Sequence, residues 1–188
     1  EKRNNVIKLA SPDITQREID AVVKVLKSGT LSLGPEIINF EKAFAQYTGR
    51  KHALAVSSGT AGLHLITRAL GLKAGDEVIT SPYSFAASVN CILYQGAKPV
   101  FVDIDPQTLN IAPKRIEAAI TRRTKAILAV DVFGLPADYS ALQRICKKHQ
   151  LLLIEDSCEA LGAEYQGKRA GSFGIASVFG FYPNKQIT

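Results

Sequence analysis

Residues 126–156 read Ala-Ile-Leu-Ala-Val-Asp-Val-Phe-Gly-Leu-Pro-Ala-Asp-Tyr-Ser-Ala-Leu-Gln-Arg-Ile-Cys-Lys-Lys-His-Gln-Leu-Leu-Leu-Ile-Glu-Asp. Two short aliphatic runs, 126–130 and 151–154, enclose a stretch of helical character at 139–149. Runs of that length without polar alternation are strands buried on both faces, and a helix between two of them is the connection that a parallel pair requires. This piece therefore predicts a sheet covered by helices on both sides.

The same alternation extends in both directions. Residues 52–56, 77–80 and 99–102 read as further short, fully buried strands, with helical stretches at 61–70, 86–94 and 114–120. The fold class that follows is α/β, with a doubly wound, mostly parallel sheet. Upstream, Thr15 and Glu18 form a capping-box pair ahead of Ile19, Val22, Val23 and Leu26, and Gly29 stands where that helix ends. A second helix over 36–48 carries Ile37, Phe40, Ala43, Phe44 and Tyr47 and stops at Gly49. Residues 1–50 thus form an N-terminal helical segment and 51–188 the main domain. Past Asp156, a polar hairpin turns at Gln166-Gly167, and 175–181 is one more strand, ended by Pro183.

Composition narrows the classes. The chain has 188 residues, 46% hydrophobic and 21% charged, which allows one domain with a sizeable core. No run of eighteen apolar residues occurs, so no membrane helix is expected, and the N-terminus lacks the apolar stretch of a secretion signal. A cytoplasmic protein is the expectation. Cys91, Cys146 and Cys158 are widely spaced and read as buried thiols; His52, His64 and His149 lack ligand spacing, and no metal is expected. The net charge of +6 is spread over short basic pairs such as Arg122-Arg123 and Lys147-Lys148, a pattern of solvated surface and not of a nucleic-acid face. A modest basic excess suits an anionic small molecule.

Three pieces carry chemistry. Ser57-Ser-Gly-Thr-Ala61 follows a strand and opens a helix, so its amides either cap that helix or collect an anion. It is neither Gly-x-Gly-x-x-Gly nor a P-loop. Asp156 ends a strand, where it either caps the next segment or pairs with a cation such as a pyridine nitrogen. Lys185 follows the last strand, where α/β folds place ligands; it is a surface group or an amine whose lost solvation frees it for a Schiff base. Phe85, in the turn after 77–80, is a core side chain or a flat face for a ring. An anion cradle, a carboxylate and a lysine in that order describe a pyridoxal phosphate pocket.

The chain also resembles the DegT/StrS family of pyridoxal phosphate-dependent nucleotide-sugar aminotransferases, within the aspartate aminotransferase (fold type I) superfamily. The motifs are Ser28-Gly-Thr-Leu-Ser-Leu-Gly-Pro35, Ser57-Ser-Gly-Thr-Ala-Gly-Leu63, Ser84-Phe-Ala-Ala-Ser88, Gly96-Ala-Lys-Pro-Val-Phe-Val-Asp103, Phe133-Gly-Leu-Pro-Ala-Asp138, Glu155-Asp-Ser-Cys-Glu-Ala-Leu-Gly-Ala163 and Phe181-Tyr-Pro-Asn-Lys-Gln186. Seven pieces in the family's order make the match specific. The resemblance implies the large domain of a fold type I enzyme. It also implies that Lys185 binds the cofactor covalently, that Asp156 pairs with the ring nitrogen, that Phe85 stacks on the ring, and that the amides of Gly59, Thr60 and Ala61 hold the phosphate. Glu159 matches a position, often glutamine, that approaches the cofactor's phenolic oxygen. Gly180 stands where many relatives have a phosphate-binding serine.

The resemblance further implies a homodimer with shared active sites and transfer of an amino group, from glutamate, to a keto-sugar on a nucleoside diphosphate. Two alternatives are a sugar dehydratase of the same fold, in which the lysine is replaced by histidine, and a non-catalytic binding or regulatory protein. Relatives run to about twice this length, so an incomplete large domain is expected, the first half of an enzyme. The strand that would follow Lys185 is expected between 52–56 and 175–181.

Overall fold

The computed structural model describes residues 11–187. They form two compact units, one taking in the described residues up to Ala55 together with those from Phe181 on, the other Val56–Gly180. Residues 1–10 of the expected N-terminal helical segment lie outside the described residues.

In the first unit, α1 (Gln16–Ser28) starts where expected. The Thr15 hydroxyl accepts from the Arg17 amide, and the Glu18 carboxylate accepts from the Thr15 amide at 2.7 Å. Gly29 ends the helix at φ 72°. Helix α2 (Pro35–Thr48) begins one residue earlier than the spacing predicts, because Pro35 has a φ preset for a first turn. Phe40 and Phe44 of α2 stack at 5.6 Å, and Phe181 meets both edge-on at 5.5 and 5.8 Å.

The second unit holds the sheet. Its strands are β1 (Glu77–Thr80), β2 (Lys98–Phe101), β3 (Thr124–Val130), β4 (Leu152–Asp156) and, after the hairpin β5 (Glu164–Tyr165) and β6 (Lys168–Arg169), β7 (Ala176–Val178). The five-stranded sheet has the order β2-β1-β3-β4-β7 and every pairing in it is parallel. Helices α3 (Gly59–Ala69) and α4 (Ala87–Leu93) cover one face, where Leu63, Cys91 and Ile92 pack with Val78, Leu128, Val130 and Ile154. Helices α5 (Pro113–Ala119) and α6 (Tyr139–His149) cover the other, where Ile116, Tyr139 and Leu142 pack with Ile79, Ile127, Ala129 and Leu153. Successive strand residues thus serve opposite cores, which is why these strands carry no polar alternation. The doubly wound α/β architecture is the one expected.

The hairpin also forms where expected: Gln166 at φ 50° and Gly167 at φ 74° make the two-residue turn whose twist suits a hairpin. Three expectations need correction. Residues 52–56 are not a strand. A strand persists only through its ladder, and no described strand pairs with this stretch; Ala55 instead donates its amide to the Glu41 carboxylate at 2.8 Å. Strand β2 is not fully buried, because it forms the sheet edge and leaves Lys98 and Phe101 exposed. Cys158 is half-buried, unlike Cys91 and Cys146.

Burial pushes the Cys91 thiol up to about 12, with the Asp156 carboxylate adding to the shift, and the Cys146 thiol up to about 11. Only the thiolate is reactive. Iodoacetamide at pH 8 should therefore leave both unlabelled in the folded protein, with full labelling in denaturant, as read by peptide mass analysis. Rapid native-state labelling of either would contradict this packing.

Candidate active site

The sheet order places a switch point between β1 and β3, since the chain leaves β1 toward β2 and leaves β3 toward β4. In such sheets the crevice beyond the carboxyl ends of the strands takes the ligand. Here that edge carries Ser81 to Ser88 after β1, Asp131 to Gly134 after β3, and Asp156 to Glu159 at the end of β4 and beyond.

Asp156 is buried at the last position of β4 and paired in register with Val130 and Val178. Its Oδ2 accepts from the Ser88 hydroxyl at 2.6 Å, and its Oδ1 accepts from the Cys158 amide at 3.3 Å. Ser88 in turn lies 2.7 Å from the Ser84 hydroxyl. Beside this group, Asp131 is fully buried. Its Oδ1 accepts from the Ala137 amide at 2.9 Å and the Tyr139 hydroxyl at 2.7 Å, and its Oδ2 from the Ser157 hydroxyl at 2.7 Å. Burial pushes the Asp131 carboxyl upward and the neighbouring Asp156 adds to this, while its three donors oppose it.

Helix α3 carries the candidate anion cradle. Ser58 caps it, accepting from the Ala61 amide at 3.1 Å through its side chain and from the Gly62 amide at 3.0 Å through its carbonyl. The amides of Gly59 and Thr60, in the first turn, have no acceptor within the helix, and the helix dipole concentrates positive potential there. A Cβ built on Gly59 would stand 2.9 Å from the Cys158 sulfur. Cys158 also borders Gly180, 3.3 Å from a Cβ built there. One side chain two residues past Asp156 therefore touches both the helix start and the end of the β7 segment. The space at Gly180 is thus lined by Cys158.

Phe85 projects outward, 80% exposed, from the turn that leads into α4, and its carbonyl accepts from the Ser88 amide at 3.1 Å. It is not a core side chain, which removes one of the two roles left open for it. Glu159 accepts from the Phe133 amide at 2.9 Å, which gives its carboxylate a donor within the chain. Phe133 sits in the left-handed region at φ 52°, unusual for a bulky residue, and its exposed ring meets Tyr83 edge-on at 6.2 Å. Lys185 belongs to the other unit; it is half-buried in a turn closed by its own amide to the Tyr182 carbonyl at 2.8 Å. Among the described residues no cluster of His, Cys, Asp and Glu could hold a metal, and no helix is long and apolar enough to cross a membrane.

Ser84, Ser88, Asp131 and Phe133 gained no individual role from the sequence. The four-residue spacing of Ser84 and Ser88 was legible, but their convergence on Asp156 spans 68 residues of chain.

Residues 12–188 match the DegT/DnrJ/EryC1/StrS aminotransferase family, and this chain belongs to it. It is 44% identical over 183 residues to GDP-perosamine synthase of Caulobacter vibrioides, covering 97% of this chain and 49% of that protein. A putative sugar aminotransferase of Streptococcus pneumoniae, solved in its pyridoxal phosphate form, superposes with a TM-score of 0.92 at 34% identity, covering 97% of this chain and 50% of that one. GDP-4-keto-6-deoxymannose-3-dehydratase superposes at 0.94 with 34% identity, covering 97% and 49%. The chain spans about half the length of the curated relatives it matches.

Asp131 offers a stability test. Because its folded-state value lies above the ordinary 3.8, the protonated form favours folding and ionisation opposes it. That contribution is complete below the unfolded value and is lost as pH rises through the folded one. Asp131→Asn keeps an acceptor for Ala137 and Tyr139 and turns its amide to Ser157, so urea unfolding of the full-length protein should lose this fall with pH. Asp131→Ala leaves three donors facing a void and should cost about 3 kcal/mol or more at any pH. A variant with Asn that shows the native pH dependence would place the titration elsewhere.

Proposed function

We propose that the chain is the cofactor-binding part of a pyridoxal phosphate-dependent aminotransferase that moves an amino group, from glutamate, to a keto-sugar carried on a nucleoside diphosphate. The observation that carries this reading is the buried Asp156 carboxylate, whose Oδ1 has only a long backbone contact, set two residues from the Cys158 side chain that borders the amide cradle of α3. The residues fit the cofactor: Gly59, with no Cβ, lets Cys158 pack against the helix start, its amide and that of Thr60 suit a phosphate, with the Ala61 amide completing the turn, and Asp156 suits a cationic ring nitrogen.

Pyridoxal phosphate, when bound, supplies the aldehyde that exchanges amino groups and a ring that draws electrons from the substrate carbon. The chain's residues do the rest. Asp156 would pair with the protonated ring nitrogen, Phe85 would offer a flat exposed face to the ring, and Nζ of Lys185 would hold the aldehyde and serve as general base and acid toward the substrate. Glu159, its carboxylate held by the Phe133 amide, would approach the cofactor's phenolic oxygen. The exposed apolar side chains Phe85 and Phe133 support assembly as a homodimer that covers them. The family likeness and the kinship to named sugar-modifying enzymes support the substrate class. The likeness to a dehydratase keeps that activity as the second reading, and lysine at 185, where the dehydratases have histidine, favours transamination.

Borohydride reduction of the cofactor-loaded full-length protein should leave the label on Lys185; a label on Lys168 or Lys125 would refute its role. Asp156→Ala should lower transamination from glutamate about a thousandfold, equivalent to roughly 4 kcal/mol of transition-state stabilisation. Near-native turnover in that variant would remove Asp156 from the mechanism.

A further inference from the structure

We infer that Ser88 is a positioning residue that selects which oxygen of Asp156 meets the ring nitrogen and joins that carboxylate to the turn bearing Phe85. The inference rests on the assignment of Asp156 to the ring nitrogen. Ser88 is fully buried on α4, and its hydroxyl stands 2.6 Å from Asp156 Oδ2. An ionised carboxylate has no proton to give, so Ser88 is the donor. A hydroxyl has one proton. The 2.7 Å contact between Ser84 and Ser88 therefore runs the other way, from the half-buried Ser84 to the Ser88 oxygen.

The order Ser84 to Ser88 to Asp156 has two consequences. Oδ2 is engaged by a short hydrogen bond to a charged acceptor, the stronger kind, which fixes the rotation of the carboxylate. Among the described residues Oδ1 keeps only the 3.3 Å contact with the Cys158 amide, and it is the oxygen left for a second strong donor. Moreover, the Ser88 amide donates to the Phe85 carbonyl at 3.1 Å, so one turn links the carboxylate assigned to the ring nitrogen with the side chain assigned to the ring face. Ser84 polarises Ser88 from the open side of this chain, and the donors in series strengthen one another.

The test compares affinities of the full-length protein for pyridoxal phosphate and for its 1-deaza analogue, in which carbon replaces the ring nitrogen. The native protein should favour pyridoxal phosphate. Ser88→Ala should weaken binding of pyridoxal phosphate about tenfold, the size expected for one hydrogen bond to a charged group, and leave the deaza affinity unchanged. Ser88→Thr, which keeps the hydroxyl, should recover most of the loss. Should Ser88→Ala fail to fold, Ser84→Ala provides the same comparison with a smaller loss, about threefold, again confined to the nitrogen-bearing ring. Equal weakening for both compounds would show a merely structural serine, and no weakening would show an idle one; either overturns the inference. A native protein that binds both compounds equally would instead overturn the assignment of Asp156, and the role of Ser88 with it.

Discussion

A buried carboxylate is tolerable only where donors surround it, and the carboxyl edge of this sheet buries three: Asp131, Glu155 and Asp156. Their donors come from segments distant in sequence. Glu155 gathers the amides of Gly171, Phe173 and Gly174 at 2.9, 2.8 and 2.5 Å and so fixes the turn that leads into β7. Asp131 gathers Ala137, Tyr139 and Ser157, tying the start of α6 to the residue after Asp156. Asp156 takes Ser88 from α4. Each acid is thus satisfied by a loop that has to be in place, and the loops around the crevice inherit their positions from that requirement.

The alternation of the strand decides where each acid points. Ile154 faces the core under α3 and α4, Asp156 two residues on faces the same side and reaches α4, and Glu155 between them serves the opposite side. A shift of one residue in the pairing of β4 would turn Glu155 toward the α4 side and Asp156 toward the opposite one. The register Ala129 with Glu155 and Val130 with Asp156 therefore carries a chemical assignment as well as a packing one. Backbone strain also falls on this edge: Phe133 holds its left-handed turn where Glu159 receives its amide, and its ring is left exposed beside Tyr83.

Much of this was legible locally. The capping box of α1, the hairpin at Gln166-Gly167 and the aliphatic runs of β1, β3 and β4 are written in neighbouring residues, so short-range spacing suffices to find them. The strand expected at 52–56 failed for the complementary reason. Its run is apolar and short, as a buried strand is, but a strand is a relation between two segments, and no described segment pairs with this one. For β2 the aliphatic composition was right and the burial wrong, because edge or centre is a property of sheet order.

Asp156, the helix-start amides, Phe85, Glu159 and Lys185 could be proposed for the site from the sequence because each stands at a strand end, in a turn or at a helix start within a short motif. The sequence by itself determined an α/β chain of this family and which residues to propose for its site. Only the tertiary structure decided that Ser88 and Ser84 serve Asp156, that Asp131 is buried beside it, that Cys158 fills the space against Gly59 and Gly180, and that Glu159 is bound to Phe133. The physical reason is range. Helices, caps and turns are set by interactions over a few residues, whereas the partners of a buried charge are whichever donors the sheet order brings within hydrogen-bonding distance.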